Sequence, residues 1–442
     1  MFKLKNIIKK SKVINTLFFL YSKYQALKLC HQKEKWDKIQ KERLYDLLIY
    51  VKENNGYYRN LLNDIKITND NVVEVLQKLP LLSKDIIHEQ KDRIFSDKIT
   101  QNWANWGNTG GSTGEPMRFP RLTNKSFSEP IHQYLIYRYL GNIKISDIIL
   151  SVDGSRIPER SLKENKYYIK RSNFPYGKYA FSTLYLTNET IQYYISDIIK
   201  ISPSFIVGYP MAMVMLANYI LDNDIKFNIK LKGIYITSEV FSEADRKIIS
   251  TAFGCNVIGQ YGHTEMSIFA IQDKNKSQYY CMPLYGYTEV LNTDNKHVNI
   301  GEVGEIVVTG FSQIGLPFIR YKTGDLATYL GCKNGIVLID SIQGRTIDYL
   351  IDNNGSKAYL TGVIFGGHLE AFNHINTWQL VQNNPGKVDI YIIKGASYTE
   401  VIEKEIINFF KSYNIEAIIY YTKHIPVSPN GKRKFVVQNC LS

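Results

Sequence analysis

The sequence lacks paired cysteines, and that shortage removes two classes of protein at once. Cys30, Cys255, Cys281, Cys332 and Cys440 are scattered over 442 residues without CxxC spacing. A disulfide framework and a Cys-rich zinc site are therefore excluded, and reduced thiols in a cytosolic protein are the expectation. A membrane-length apolar run is also missing. Lys3, Lys5, Lys9, Lys10 and Lys12 precede Leu17-Phe18-Phe19-Leu20-Tyr21, a signal-like arrangement, but Ser22-Lys23 interrupts the stretch and no A-x-A-like cleavage site follows. Acidic residues are in deficit: 41 Asp+Glu stand against 54 Lys+Arg, a net charge of +13. Nucleotide, coenzyme, nucleic acid or acidic lipid would suit that charge, as would a plain basic solvated surface. No basic stretch interleaved with aromatics, helix-turn-helix or RNP-like pattern is present, so nucleic acid is not an expected partner. No internal repeat or low-complexity tract occurs.

What remains is a soluble globular composition, 44% hydrophobic and 21% charged. The length calls for a large domain and a smaller one. Ile14, Leu17, Phe18 and Tyr21 share one helical face, expected to pack on the domain's own surface, although a basic amphipathic helix can also rest on an anionic membrane. Residues up to about Arg93 read as helices, including Ile39–Val51 and the region of Val72–Leu79. Trp103–Pro120 reads as a loop and Lys125–Gly141 as a helix. Strand-like runs at Asp147–Val152, Phe205–Val207, Gly233–Thr237 and Asn256–Ile258 alternate with helical patterns at Met211–Leu221 and Glu243–Phe253. That alternation predicts an α/β fold with parallel sheet covered by helices. Gly304–Gly310 and Gly335–Asp340 read as antiparallel strands. Val388–Ile393, Thr399–Tyr413 and Ala417–Tyr421 give a strand–helix–strand pattern, a small α+β unit. The expected domains are thus 1–344 and 345–442, divided near Gly344-Arg345.

Five short segments carry chemistry. In Asn108-Thr109-Gly110-Gly111-Ser112-Thr113-Gly114-Glu115-Pro116, glycines permit close backbone approach, and hydroxyls with exposed N–H groups suit phosphate oxygens. It is not a Walker A loop, having no Gly-Lys-[Ser/Thr] end, and such runs are more often ordinary loops. Gln260-Tyr261-Gly262-His263-Thr264-Glu265 follows a strand, where a carboxylate can hold Mg²⁺ beside a nucleotide and a tyrosine can face a base. A turn with a solvated acid is the plainer alternative, and His263 reads as a packing or solvent-facing residue. In Tyr321-Lys322-Thr323-Gly324-Asp325, the aspartate can accept from a ribose diol or simply sit in a β-turn. Arg345, in Gly344-Arg345-Thr346-Ile347-Asp348, can reach phosphate or ribose, or remain solvated. Lys432, in Pro429-Asn430-Gly431-Lys432, can swing into a cleft to neutralise developing charge, or be an exposed tail lysine.

Taken in order, these segments resemble the acyl-adenylate-forming superfamily, in particular its phenylacetate-CoA ligase/CapK-like branch, over roughly residues 100–442. Thr109–Pro116 is similar to the family's phosphate loop and Tyr261–Glu265 to its Tyr-Gly-x-Thr-Glu motif. Tyr321–Asp325 is similar to Tyr-Arg-Thr-Gly-Asp, Gly344–Asp348 to the hinge motif, and Gly431-Lys432 to the catalytic-lysine loop. Pro203–Pro210 and Tyr235–Phe253 also fit.

The resemblance implies a large adenylate-forming domain and a small mobile C-terminal domain. It implies that Thr109, Gly111, Ser112, Thr113 and Gly114 cradle ATP phosphates, with Thr113 and Glu265 near Mg²⁺. Ser238, Glu239 and Tyr261, with Gly262 and Thr264 of the same motif, would border the nucleotide; Asp325 would hold the ribose, assisted by Arg345. Lys432 would bridge the acyl carboxylate and the α-phosphate. His132, Tyr209 and the loop Asp153–Pro158 are candidates for the acyl pocket.

The sequence departs from the family at Lys322 for arginine, Met117 for a lysine after the phosphate loop, Ile347 for an acidic hinge residue and Ser238 for glycine. Cys281 lies where some relatives bind zinc but lacks partners, so no structural zinc is expected. The implied activity is an ATP-dependent acid–thiol or acid–amine ligase that forms acyl-AMP and pyrophosphate and then transfers the acyl group to coenzyme A, another thiol or an amine. Its expected setting is bacterial surface-polysaccharide biosynthesis, in the cytoplasm or at the inner membrane face, with a homodimer among the assemblies the resemblance implies. An aryl- or acyl-CoA ligase of carboxylate metabolism and a non-catalytic nucleotide-binding scaffold are the alternatives.

Overall fold

The structure, a computed structural model, describes residues 12–100, 102–103, 105–108, 117–123, 129–238, 243–340, 342, 349–358, 371, 374–395, 397–422, 425–426 and 436–440. It is an α/β fold built on mixed sheet covered by helices. The described residues fall into two compact units, one drawn from 1–21, 137–259 and 343–442, the other from 22–136 and 260–342.

In the first unit the strands run in the order Tyr168–Lys170, Tyr179–Ser182, Ile149–Asp153, Phe205–Gly208, Gly233–Thr237, followed by Val257–Gly262. Ile149–Asp153 is parallel to both its neighbours, and Phe205–Gly208 is parallel to Gly233–Thr237. Tyr168–Lys170 closes the edge antiparallel. The inner strands are short, continuous apolar runs because both of their faces are covered. Helices Ile191–Ile201, Pro210–Asp222 and Glu243–Phe253 cover them, burying Tyr194, Ile198, Met213, Leu216, Ile249 and Phe253. Proline at the first turn of Pro210–Asp222 costs nothing, since that N–H has no helical partner. Parallel strands that end in this way leave Asp153, Tyr209 and Ser238 together at their carboxyl ends.

Toward the C-terminus the same unit holds a separate sheet in the order Glu416–Tyr421, Lys387–Lys394, Ile375–Asn384, Val436–Gln438. Helix Glu400–Ser412 packs Ile402, Ile406 and Phe410 into a core with Trp378, Leu380, Ile390 and Ile392.

The second unit packs helices Trp36–Asn54, Gly56–Leu62, Val72–Lys78 and Lys84–Gln90 around an antiparallel sheet. Its order is Gly286–Leu291, Val303–Gly310, Tyr321–Lys333, Ile336–Asp340, Tyr279–Cys281, Phe269–Gln272, then the end of Val257–Gly262. Asn55 separates the first two helices, its side chain accepting from the Tyr57 and Tyr58 amides as an N-cap.

Two expectations change. Trp103–Pro120 is not all loop, because Trp106–Asn108 pairs antiparallel with Arg118–Pro120 and so ties together the two ends of the 109–116 segment. Of the helix expected over Lys125–Gly141, Glu129–Gly141 is helical and residues 125–128 lie outside the described residues. In helix Lys12–His31, the face bearing Ile14, Leu17, Phe18 and Tyr21 is exposed, while Phe19, Ser22 and Ala26 are buried. The helix is apolar on opposite sides, so periodicity alone could not choose the side that packs. Among the described residues no helix is long and apolar enough to cross a membrane.

Candidate functional site

Two segments of the second unit, 64 residues apart in sequence, meet at one hydrogen bond. Tyr261 Oη donates to Asp325 Oδ2 at 2.5 Å. Tyr261 lies near the end of strand Val257–Gly262, paired antiparallel with Phe269–Gln272, so that residues 263–268 form the connection. A Cβ on Gly262 would stand 2.9 Å from the Ile268 carbonyl oxygen, closer than a side chain tolerates, which explains the glycine. Burial first, and then the Asp325 charge, push the Tyr261 hydroxyl well above its ordinary pKa. It therefore remains a donor and fixes the carboxylate's direction.

Asp325 is aimed by an irregularity in its strand. Register shifts between Glu305 and Val307 opposite Tyr321–Lys333. Gly324 takes the left-handed conformation with φ 77°. The Thr323 hydroxyl donates to the Ile306 carbonyl at 2.7 Å and accepts from the Asp325 amide at 3.0 Å, while the Gly324 amide donates to Glu305 Oε1 at 3.1 Å. Side chains thus replace the ladder where the bulge interrupts it. Lys322 pairs with Glu305 Oε2 at 3.1 Å, which fits a supporting residue.

Glu265 is buried, and its Oε2 lies 3.7 Å from His263 Nδ1, beyond a hydrogen bond. The Tyr261 and His263 rings meet edge-on at 5.7 Å. Thr264 in the same connection is exposed. A buried carboxylate is suited to a metal ion. Magnesium is commonly held by one or two carboxylates plus phosphate oxygens rather than by an all-protein cage. Glu265 fits that role, and no group of three or more metal-binding side chains occurs among the described residues.

In the first unit Ser238 follows strand Gly233–Thr237, exposed and left-handed with φ 77°, the conformation for which glycine is favoured. Asp153 ends its strand by accepting from Ser151 Oγ at 2.9 Å and from Arg171 Nη1 at 3.2 Å. Tyr209 immediately precedes helix Pro210–Asp222. His132, in the second unit, is enclosed by Tyr285 and Phe269, at 4.9 and 5.5 Å between centroids. Met117 is a core residue, not a surface side chain standing in for lysine. Cys281 is buried and its thiol is pushed up to about 12 by desolvation, as for an inert packing residue. Thr109, Gly111, Ser112, Thr113, Gly114, Glu239, Arg345 and Lys432 lie outside the described residues.

One supporting group had no sequence signal. Arg320, directly before the Tyr321–Asp325 segment, forms a two-pronged ion pair with Glu289, Nη2 to Oε1 at 2.9 Å and Nε to Oε2 at 3.1 Å. Its Nη1 also donates to the carbonyls of Gln77 and Leu79 at 2.7 and 2.8 Å. All partners are distant in sequence, so only the fold reveals the cluster.

With this geometry in hand, the solved structures define the class. The 2-hydroxyisobutyryl-CoA ligase, bound to R3-HIB-AMP in its postadenylation state, matches with TM-score 0.67 and 17% identity, over 91% of this chain and 89% of that one. The GH3.15 acyl acid amido synthetase matches with TM-score 0.58 and 16% identity, over 89% and 88%. The fold is that of the acyl-adenylate-forming ligases. At the level of sequence the chain is a homologue of Protein CapK from Staphylococcus aureus, 26% identical over 433 residues, or 94% of this chain and 92% of that protein. No family model matches the chain.

Proposed function

We propose that the protein is an ATP-dependent ligase that activates a carboxylic acid as its acyl-adenylate and passes the acyl group to a thiol or amine. The observation that carries this is the Tyr261–Asp325 pair, a tyrosine and a carboxylate beside the bulge in strand Tyr321–Lys333, locked together inside an adenylate-forming fold. In this reading Asp325 accepts from the ribose hydroxyls, its second acceptor positions being directed by the Tyr261 bond. Residues 109–114 cradle the phosphates, Ser238 and Glu239 border the adenine with Tyr261, and Arg345 assists at the ribose.

The substrate carboxylate attacks the α-phosphorus, the bond to the β-phosphate oxygen breaks, and pyrophosphate leaves. Lys432 offsets charge shared by the attacking carboxylate and the α-phosphate. Glu265, with the Thr113 hydroxyl, would hold Mg²⁺, which neutralises the departing phosphates when bound. No protein nucleophile is needed, and none of the motifs supplies one.

The acceptor has two candidates, coenzyme A by likeness to the CoA ligase and an amine by likeness to the amido synthetase. Relationship to CapK favours a role in surface-polysaccharide biosynthesis. The test is carboxylate-dependent ATP–pyrophosphate exchange over aryl, fatty, uronic and amino acids. Exchange with one acid class is expected, falling at least about tenfold in Lys432→Ala, a loss of about 1.4 kcal/mol. EDTA should abolish it and added Mg²⁺ restore it. ATP binding without exchange for any acid would favour a nucleotide-binding scaffold, and absence of ATP binding would overturn the proposal.

A further inference from the structure

The helix Lys12–His31 carries two opposed faces. Asn15, Phe19, Ser22 and Ala26 recur at helical spacing on one of them. Phe19, Ser22 and Ala26 are buried, the Phe19 ring meets Phe174 edge-on at 5.2 Å, and Asn15 Nδ2 donates to the Phe174 carbonyl at 2.7 Å. Val13, Leu17, Leu20 and Tyr24 fall on the opposite side and are 68%, 60%, 47% and 64% exposed. Ile14, Phe18 and Tyr21 widen that stripe, and exposed Tyr176 follows the Phe174-Pro175 segment on which the helix rests.

A docked surface helix normally turns polar residues outward. A contiguous apolar stripe left in water marks an interaction surface, and its charge identifies the partner. Residues 1–33 include eight lysines and no aspartate or glutamate. On the helix itself Lys23 and Lys28 are exposed, and exposed Lys170 and Lys178 lie near Tyr176 in sequence. Two copies of such a face would repel, as would any basic partner. An anionic bilayer satisfies both features: acyl chains and the headgroup boundary take the aliphatic and aromatic side chains, and phosphates take the lysines.

We propose that the outward stripe of this helix docks the protein on an anionic lipid bilayer, with Val13, Leu17, Leu20 and Tyr24 entering the headgroup–acyl boundary. This surface is independent of the adenylation site, and the proposal stands whatever acid that site activates. The helix lies in the interface plane and does not span it.

The experiment is co-sedimentation of the full chain with vesicles of equal parts phosphatidylglycerol and phosphatidylcholine, compared with phosphatidylcholine alone. Binding to the anionic vesicles is expected, weakened at least about fivefold by removing phosphatidylglycerol or by raising salt to about 1 M. Leu17→Glu/Leu20→Glu should reduce it at least about tenfold while ATP binding and near-UV circular dichroism are retained, because neither side chain belongs to the buried core. In Leu20→Trp, an independent readout, vesicles should shift indole emission to the blue. Absence of binding by the unaltered chain, or equal binding by the double variant, overturns the proposal. So does a dimer in sedimentation velocity that the double variant dissolves without any vesicle binding, since that would make the stripe a self-association face.

Discussion

Tyr261 and Asp325 are coupled by one short bond, and the coupling has a measurable size. Tyr261→Phe keeps the ring beside the site but leaves the Asp325 carboxylate to turn. Asp325→Asn keeps the shape and removes the charge that makes the bond strong. Each should weaken ATP binding, and the double variant should lose less than the sum, with a coupling of about 1–3 kcal/mol. Strict additivity in the cycle would show that the pair does not act as a unit. Ser238 provides a second test at this scale, because its left-handed backbone places a Cβ where glycine would have none. Ser238→Gly should raise stability by about 0.5–1 kcal/mol, relief of strain outweighing the entropy that glycine adds to the unfolded chain. Urea titration reads the change, and an unchanged or lowered midpoint refutes the strain.

Strand Tyr321–Lys333 carries Asp325, and its entry is held by the buried Arg320–Glu289 pair. Breaking such a pair from one side strands a buried charge. Arg320→Met should therefore destabilise by about 3–5 kcal/mol, whereas Arg320→Met with Glu289→Leu should recover most of it. Equal losses in the single and double variants would mean that packing, not charge, is what Arg320 contributes. The same strand shows why some elements are legible in sequence and others are not. Phe205–Gly208 and Gly233–Thr237 are short apolar runs buried on both faces, and Glu243–Phe253 is amphipathic, so composition and period find them. Tyr321–Lys333 shifts register at two places, which erases the alternation of a strand. Ile375–Asn384 hides for another reason. Its buried positions include Gln382, whose amide bonds the Ile351 N–H and C=O at 2.6 and 2.8 Å, a polar residue at a core position that only the fold can satisfy. The site divides in the same way. Tyr261, Glu265 and Asp325 are visible as motifs, while Arg320, Glu289 and Glu305 support them across gaps that carry no local pattern.

At the scale of the whole molecule, the C-terminal sheet and helix have their own core, in which Leu380, Ile390, Ile392, Ile406 and Phe410 are fully buried. Residues 343–442 are grouped in one compact unit with 137–259, and the proposed domain boundary at Gly344-Arg345 lies outside the described residues. A segment that joins two independently packed regions is the place where cleavage disturbs the fewest buried contacts. Brief digestion by a protease specific for Lys and Arg should therefore cut first after Arg345, giving fragments that correspond to residues 1–345 and 346–442. If Arg345 also reaches the nucleotide, a non-hydrolysable acyl-adenylate analogue should slow that cut at least about tenfold, because bound ligand opposes the opening that cleavage needs. Arg345→Gln should remove the cut and weaken analogue binding together. A first cut inside 375–421 would refute a separately folded C-terminal unit. A first cut at Arg345 that the analogue leaves unaffected would keep the boundary and remove Arg345 from the nucleotide site.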